Sequence, residues 1–168
     1  MTLIVETGTG NPDAQSYASV ADADAYVADF HESTEWANAS EPRKERALRR
    51  ATRFVDANRF VGVRGWEDQA LNWPRALVGY VDGQEIFSDQ IPLAIREATM
   101  EAALKDVEGD DLLPDHDGGT VKSESSTVGP IQTSTQYAAP KTAGKRFEAV
   151  RALLKPYLSS RRLERSIG

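Results

Sequence analysis

The chain has 168 residues, a formal net charge of −6, 40% hydrophobic and 27% charged residues, and no cysteine. That length suits one domain able to bury a real core. The missing cysteines exclude disulfides, thiolate nucleophiles and zinc–thiolate sites, and no apolar run approaches the ~20 residues needed to span a bilayer.

The start, Met1-Thr2-Leu3-Ile4-Val5-Glu6, has neither a basic nor a long apolar region, so no signal peptide is expected. Ser19-Val20-Ala21-Asp22 reads as a capping box, followed by Val20, Ala23, Val27 and Phe30 at helical spacing. A second helix opens at Ser40-Glu41-Pro42, with serine as N-cap and proline in the first turn. Its apolar stripe is Ala47, Leu48, Ala51, Phe54 and Val55; Arg43, Arg46, Arg50 and Arg53 share the opposite face.

Arg59 to about Gln90 lacks helical period and contains Gln69-Ala70-Leu71-Asn72-Trp73-Pro74-Arg75. Proline fixes its own φ and biases Trp73 to an extended backbone. The indole can then close one end of a helical core, while the Arg75 fork bonds loop carbonyls or a carboxylate. Gln69, Leu71, Trp73, Pro74 and Arg75 are therefore expected to form a structural staple. Asp82-Gly83 between short β-prone pieces predicts a hairpin. Ile91-Pro92 starts a third helix, apolar around most of its circumference and hence central, with Gly109 as a C-cap.

Residues 110–141 are acidic and then Ser/Thr-rich. Two alternating stretches, Val121–Thr127 and Ile131–Tyr137, flank Gly129-Pro130 and predict a polar hairpin arm. The stretch has too few apolar side chains for a core, so it is either a disordered loop or an arm that gains its partners from another chain, with Val121, Val128, Ile131, Thr133, Thr135 and Tyr137 as candidate contacts with a neighbouring subunit. A last helix begins near Gly144, with Phe147, Val150, Leu153, Leu154 and Tyr157 inward and Pro156 ending it. Residues 159–168 form a basic tail. The fold expected is thus mainly α: a single domain over 1–168, with about four helices, a short β-hairpin and a protruding polar arm.

Charge is arranged in blocks. Up to Pro42 there are eight acids and no Lys or Arg; Arg43–Arg64 holds eight bases against Glu45 and Asp56. Such polarity suits either intramolecular pairing or head-to-tail self-assembly. The basic helix face is also a candidate for nucleic-acid phosphates, with Phe54, Phe60, Trp66 and Trp73 nearby in sequence as candidate base-stacking rings.

Catalytic and metal signatures fail on inspection. His31 and His116 lie in unrelated segments, and no G-x-S-x-G elbow is present. Gly144-Lys145 lacks the rest of a phosphate loop, and Gly8-Thr9-Gly10 lacks a strand–helix frame. Asp115-His116-Asp117-Gly118 to Glu124 partly matches a calcium loop, but Leu113 occupies the first ligand position. No enzyme activity, metal or cofactor is expected.

Several pieces occur in order: Ser16-Tyr17-Ala18-Ser19-Val20-Ala21-Asp22-Ala23, Ala47-Leu48 to Asp56, Gln69-x-Leu71-x-Trp73-Pro74-Arg75, Asp82-Gly83, Ile91-Pro92-x-Ala94-Ile95 to Ala98, Val128-Gly129-Pro130 and Leu153-Leu154-Lys155-Pro156-Tyr157-Leu158. Together they resemble the head–tail adaptor (connector or head-completion) proteins of tailed bacteriophages, a type often labelled DnaT-like single-stranded-DNA-binding. The resemblance covers almost the whole chain, and the Gln-x-Leu-x-Trp-Pro-Arg piece is its most specific part. It implies a structural virion protein: a ring, usually of twelve copies, beneath the portal, assembled in the host cytoplasm and located in the neck. The ring would extend the channel through which packaged DNA passes and would join portal to tail. Arg161, Arg162, Leu163, Arg165 and Ile167 would then dock on the portal. Arg43, Arg46, Arg50 and Arg53 would face the channel or a neighbouring subunit, with no membrane involved. The alternative is a single-stranded-DNA-binding protein of phage replication.

Overall fold

A computed structural model describes residues 2–113, 124–128, 131–135 and 147–159, with the middle two stretches described as backbone only. Contacts divide the chain into two units, Met1–Leu112 with Glu148–Gly168, and Leu113–Phe147.

In the first unit the helices follow the sequence signals closely. Helix α1 spans Val20–Phe30. Ser19 Oγ accepts the Asp22 N–H at 3.0 Å and Asp22 Oδ2 accepts the Ser19 N–H at 3.1 Å, completing the capping box. Ala23 and Val27 are buried. Phe30, expected on the inward stripe, is instead 67% exposed: it stands at the last helical position and leans on Tyr26, ring centroids 5.0 Å apart.

Helix α2, Thr34–Asn38, was not foreseen. One turn of helix carries no period; it is capped by Ser33 Oγ on the Trp36 N–H and held by burial of Trp36. The indole N–H donates to Asp24 Oδ1 at 2.8 Å, and the Lys44 ammonium bonds the same oxygen while lying over the ring.

Helix α3 spans Glu41–Asp56 and buries Ala47, Leu48, Ala51, Thr52 and Val55. Its N-cap is Ser40, as the sequence indicates, but the serine side chain makes no capping bond. Helix α4, Leu93–Val107, buries nine of its residues, among them Ile95, Ala98 and Leu104. It packs on α1, α2, α3 and α5 and is the centre of the unit. Its alanines let the neighbouring helices approach closely, and Gly109 follows at φ +97°, the left-handed geometry of a helix stop.

Three antiparallel pairs complete the described backbone. Strands β1 (Val63–Arg64) and β2 (Arg75–Ala76) pair across the loop that carries the staple. Strands β3 (Gly79–Val81) and β4 (Gln84–Ile86) form the expected hairpin, with Asp82 and Gly83 both at positive φ, 50° and 81°, as a tight two-residue turn demands. In the second unit β5 (Glu124–Val128) pairs with β6 (Ile131–Thr135), Val128 opposite Ile131 and Glu124 opposite Thr135. The two strands lie within or beside the two alternating stretches of the sequence; the outer residues Val121 and Tyr137 lie outside the described residues.

The last helix is shorter than its sequence suggests. Helix α5 runs Glu148–Leu154 and passes into a 3-10 turn at Lys155–Tyr157, where Pro156 ends the α geometry. Val150 and Leu154 are buried, whereas Phe147, Leu153 and Tyr157 are only partly covered. The chain then docks beside Phe60: Val61 N–H donates to Tyr157 O at 3.0 Å and Ser159 N–H to Arg59 O at 2.9 Å. The tail residues Arg161, Arg162, Leu163, Arg165 and Ile167 lie outside the described residues, as do His116, Asp115, Asp117, Gly118, Gly144 and Lys145.

Candidate nucleic-acid interface

The staple fixes the irregular half of the first unit. Trp73 is wholly buried, edge-on to Phe60 and to Tyr157 with ring centroids 5.7 Å from each. The Trp73–Pro74 peptide is cis. Arg75 spreads its fork over three backbone carbonyls: Nε to Val61 O at 2.7 Å, Nη2 to Gly62 O at 2.7 Å and Nη1 to Asn72 O at 3.1 Å. Gln69 accepts the Trp66 N–H at 2.8 Å and donates to the carbonyls of Leu71 and Pro74. Gln69 and Arg75 thereby satisfy loop groups that burial would otherwise leave unpaired.

A polar hub ties this loop to α3 and to the N-terminal segment. The Tyr17 hydroxyl donates to Asp56 Oδ1 at 2.6 Å and accepts the Trp73 N–H at 2.9 Å. Asp56 Oδ2 accepts the Asn72 N–H at 3.0 Å. Burial pushes the Asp56 carboxyl above the usual carboxylate range, although bonds from Tyr17 and Asn72 oppose the shift. Burial, then the Asp56 charge, also pushes the Tyr17 phenol well above its ordinary value. Burial raises Tyr26 to about 12 and raises Tyr157 as well.

The sign of these tyrosine shifts gives a prediction. The native state holds its phenolic protons where the unfolded chain, with a pKa of ~10, releases them. Stability from this source is complete below pH ~10 and is lost as pH rises beyond it. Urea denaturation should therefore show stability falling above pH ~10. Tyr17→Phe should be less stable at pH 7, because it orphans the Trp73 N–H and one Asp56 oxygen, yet should show a shallower alkaline decline. An unchanged alkaline slope in this variant would rule out Tyr17 as a source of the decline.

Above the hub runs a groove of about 650 Å³, lined by Arg46, Arg49, Arg50 and Arg53 of α3, with Asp56, Ala57, Ala70 and Leu71 among the remaining walls. The four arginines stand at i, i+3, i+4 and i+7, one face of a helix. Arg43, grouped with them from sequence, is spent elsewhere: its Nη2 donates to Val107 O at 2.9 Å, at the carbonyl end of α4. Arg49, missed from sequence, takes its place in the groove, steadied by Gln15 at 2.9 Å and Glu45 at 3.3 Å. The signal was present, since Arg49 is three residues past Arg46 and four before Arg53. Gln15, 34 residues away in sequence, is what holds it on this face.

Arg50 is partly neutralised by Asp106 at 3.1 Å and Asp111 at 3.5 Å. Burial pushes Asp106 up, against the pull of Arg50, Arg43 and Arg46. The side chains of Arg46 and Arg53 are exposed and make no hydrogen bond or ion pair among the described residues, although the charge of Arg46 is felt by Asp106. The groove thus carries two guanidinium groups held by ion pairs and two exposed ones that make none among the described residues, over a partly apolar wall.

The other features considered from sequence play different parts. Phe60 and Trp73 are core rings, Phe54 is half-buried on α3, and only Trp66 of the four candidate stacking aromatics is exposed, at 40%. His31 Nε2 lies 2.7 Å from the buried Glu101 carboxylate. The Gly8-Thr9-Gly10 loop is an anion cradle already filled by its own chain. Glu6 Oε1 accepts the N–H groups of Gly8, Thr9 and Gly10 at 2.9–3.1 Å, and Oε2 that of Asn11 at 2.7 Å. Among the described residues no cluster of three or more His, Asp or Glu side chains is placed to hold a metal, and no helix is long and apolar enough to cross a membrane.

Fold and groove together define a small, mainly helical protein with an arginine-lined groove on one helix face. A family model described as "Putative DnaT-like ssDNA binding protein" matches residues 1–166, and the chain belongs to that family. No curated protein and no solved structure matches it.

Proposed function

We propose that this protein is a non-catalytic nucleic-acid-binding module whose α3 groove takes the sugar–phosphate backbone of a single strand. The observation that carries the reading is the alignment of Arg46, Arg49, Arg50 and Arg53 along one groove, two of them with side chains that make no hydrogen bond or ion pair among the described residues. Guanidinium groups are well matched to phosphate oxygens, and displacement of counterions from the strand drives such binding. The net charge of −6 and the carboxylates at the groove, Asp56 in its wall, Glu45 against Arg49, and Asp106 and Asp111 against Arg50, oppose an anionic ligand, so the attraction falls to the exposed guanidinium groups of Arg46 and Arg53. The family description points to the same ligand.

The test is retardation of a labelled oligo(dT) at ~0.15 M salt, followed across salt concentrations. Binding should weaken steeply with salt, by about 0.7 logarithmic units per decade for each phosphate contact. Arg46→Ala with Arg53→Ala should weaken binding and flatten the slope by about 1.4 units. An oligonucleotide bound equally well by wild type and double variant, with the same slope, would place the contact elsewhere.

A second reading, the head–tail adaptor ring, is favoured by one observation besides the sequence resemblance. The polar β5–β6 pair belongs to a separate unit from the helical core, as an arm reaching a neighbouring subunit requires. In that reading the arm and the residues Arg161, Arg162, Leu163, Arg165 and Ile167 join copies to one another and to a portal. Twelve copies surround packaged DNA, and the arginine groove faces either the channel or the next subunit. Rings in negative-stain images, and retention of the chain in purified phage particles, would favour this role; particles lacking the chain would exclude it.

A further inference from the structure

We infer that Trp66 is the base-stacking residue of the α3 groove, so that the ligand is held by its bases as well as by its phosphates; this rests on the nucleic-acid reading above. The loop that carries Trp66 continues directly into Gln69, Ala70 and Leu71, and the last two line the groove. Trp66 is not itself a lining residue, but the segment on which it packs also reaches the groove. A Cβ placed on Gly10 would lie 2.8 Å from the indole ring, so only glycine admits the ring there, and Ala14 and Gln15, a few residues on, are groove residues. The Ala70 N–H donates to Asn11 O at 3.3 Å, tying the two segments together. One part of the indole is therefore seated against the Gly10 backbone, and the ring remains 40% exposed.

That arrangement suits stacking better than the other exposed rings do. Phe30 ends α1, Tyr80 lies on the β3–β4 hairpin, and Phe87 lines a different concavity with Ile91 and Arg96. Of these rings only Trp66 is on a segment that builds the arginine groove. The seat on Gly10 and the Gln69 bond to the Trp66 N–H hold it in place before any ligand arrives, which reduces the ordering cost of binding. A base has a π-face whatever its identity, so the groove should accept any unpaired strand and discriminate against duplex, whose bases are already stacked.

The three tryptophans make the test direct. Trp36 and Trp73 are 2% and 0% exposed, so fluorescence quenching on ligand addition reads Trp66. The probes are oligo(dT) and an abasic oligomer of equal length, which keeps the phosphates and lacks the bases. Wild type should be quenched by oligo(dT) and not by the abasic strand. Trp66→Ala should lose about 10- to 100-fold in oligo(dT) affinity with abasic binding unchanged, while Trp66→Phe retains most of the affinity. If Trp66→Ala does not fold, the wild-type quenching contrast and Trp66→Phe still decide. Equal quenching by both strands, or none by oligo(dT), overturns the stacking role. Wild-type oligo(dT) affinity in Trp66→Ala, with loss in the Arg46/Arg53 double variant, overturns stacking and leaves the phosphate groove standing. Failure of the wild type to bind either strand overturns both.

Discussion

Trp73→Ala is expected to destabilise the protein by about 3–5 kcal/mol, a large share of the 5–15 kcal/mol that holds a typical domain. The indole is fully buried between Phe60 and Tyr157, and each edge-on ring contact adds to its area burial. Truncation leaves a cavity that three separate segments must close, and two of them are pinned. Phe60 is held by its bridge to Leu158, and the Asn72–Arg75 backbone by Arg75 and Tyr17. Little relaxation is therefore available to lower the cost. Trp73→Phe should cost less, because the indole N–H has no acceptor among the described residues and its loss forfeits no hydrogen bond. Urea denaturation of the two variants measures this. An alanine variant within 1 kcal/mol of wild type would mean that Trp73 does not close the core.

Glu6→Ala should have an effect of similar size by a different route. Glu6 is 2% exposed, and its carboxylate is the acceptor for four consecutive backbone N–H groups, those of Gly8 and Gly10 in buried positions. A buried donor left without an acceptor costs about 1–3 kcal/mol, so a loss of about 3–5 kcal/mol follows for the set. Because the empty cradle is a ready-made anion site, formate should stabilise Glu6→Ala more than it stabilises wild type. Thermal denaturation with sodium formate, and with sodium chloride as control, reads the difference. An alanine variant as stable as wild type would show that the loop holds its shape without the carboxylate. The cradle also explains why Gly8-Thr9-Gly10 fails as a phosphate loop: the chain supplies its own anion.

The parts of the fold legible in the sequence are those governed by local rules. The capping box at Ser19, the proline after Ser40, the all-round apolar pattern of α4 and the Asp82-Gly83 turn each act within a few residues, and each element forms where its signal lies. Helix α2 escaped notice because five residues cannot display a period; Ser33 was its only local mark, and burial of Trp36 against Asp24 and Lys44 is a tertiary event. Phe30 followed the period and still faces outward, since periodicity names a face but not whether a partner covers it. The groove was half legible for the same reason. The spacing named an arginine face, but Arg43 left it for the Val107 carbonyl and Arg49 joined it through Gln15, choices made by residues 64 and 34 positions away. Trp66, Phe60 and Trp73 are chemically alike in sequence; only packing separates an exposed ring from two core ones.

The Tyr17 hub has a consequence for how the groove wall is held. It joins Tyr17 to Asp56 and to Trp73, partners 39 and 56 residues away along the chain. Asp56 is itself a wall of the groove, and the loop that ends at Trp73 supplies Ala70 and Leu71 to the same wall. One phenol thus fastens two sides of the groove to each other, and a change at Tyr17 reaches the groove without touching an arginine.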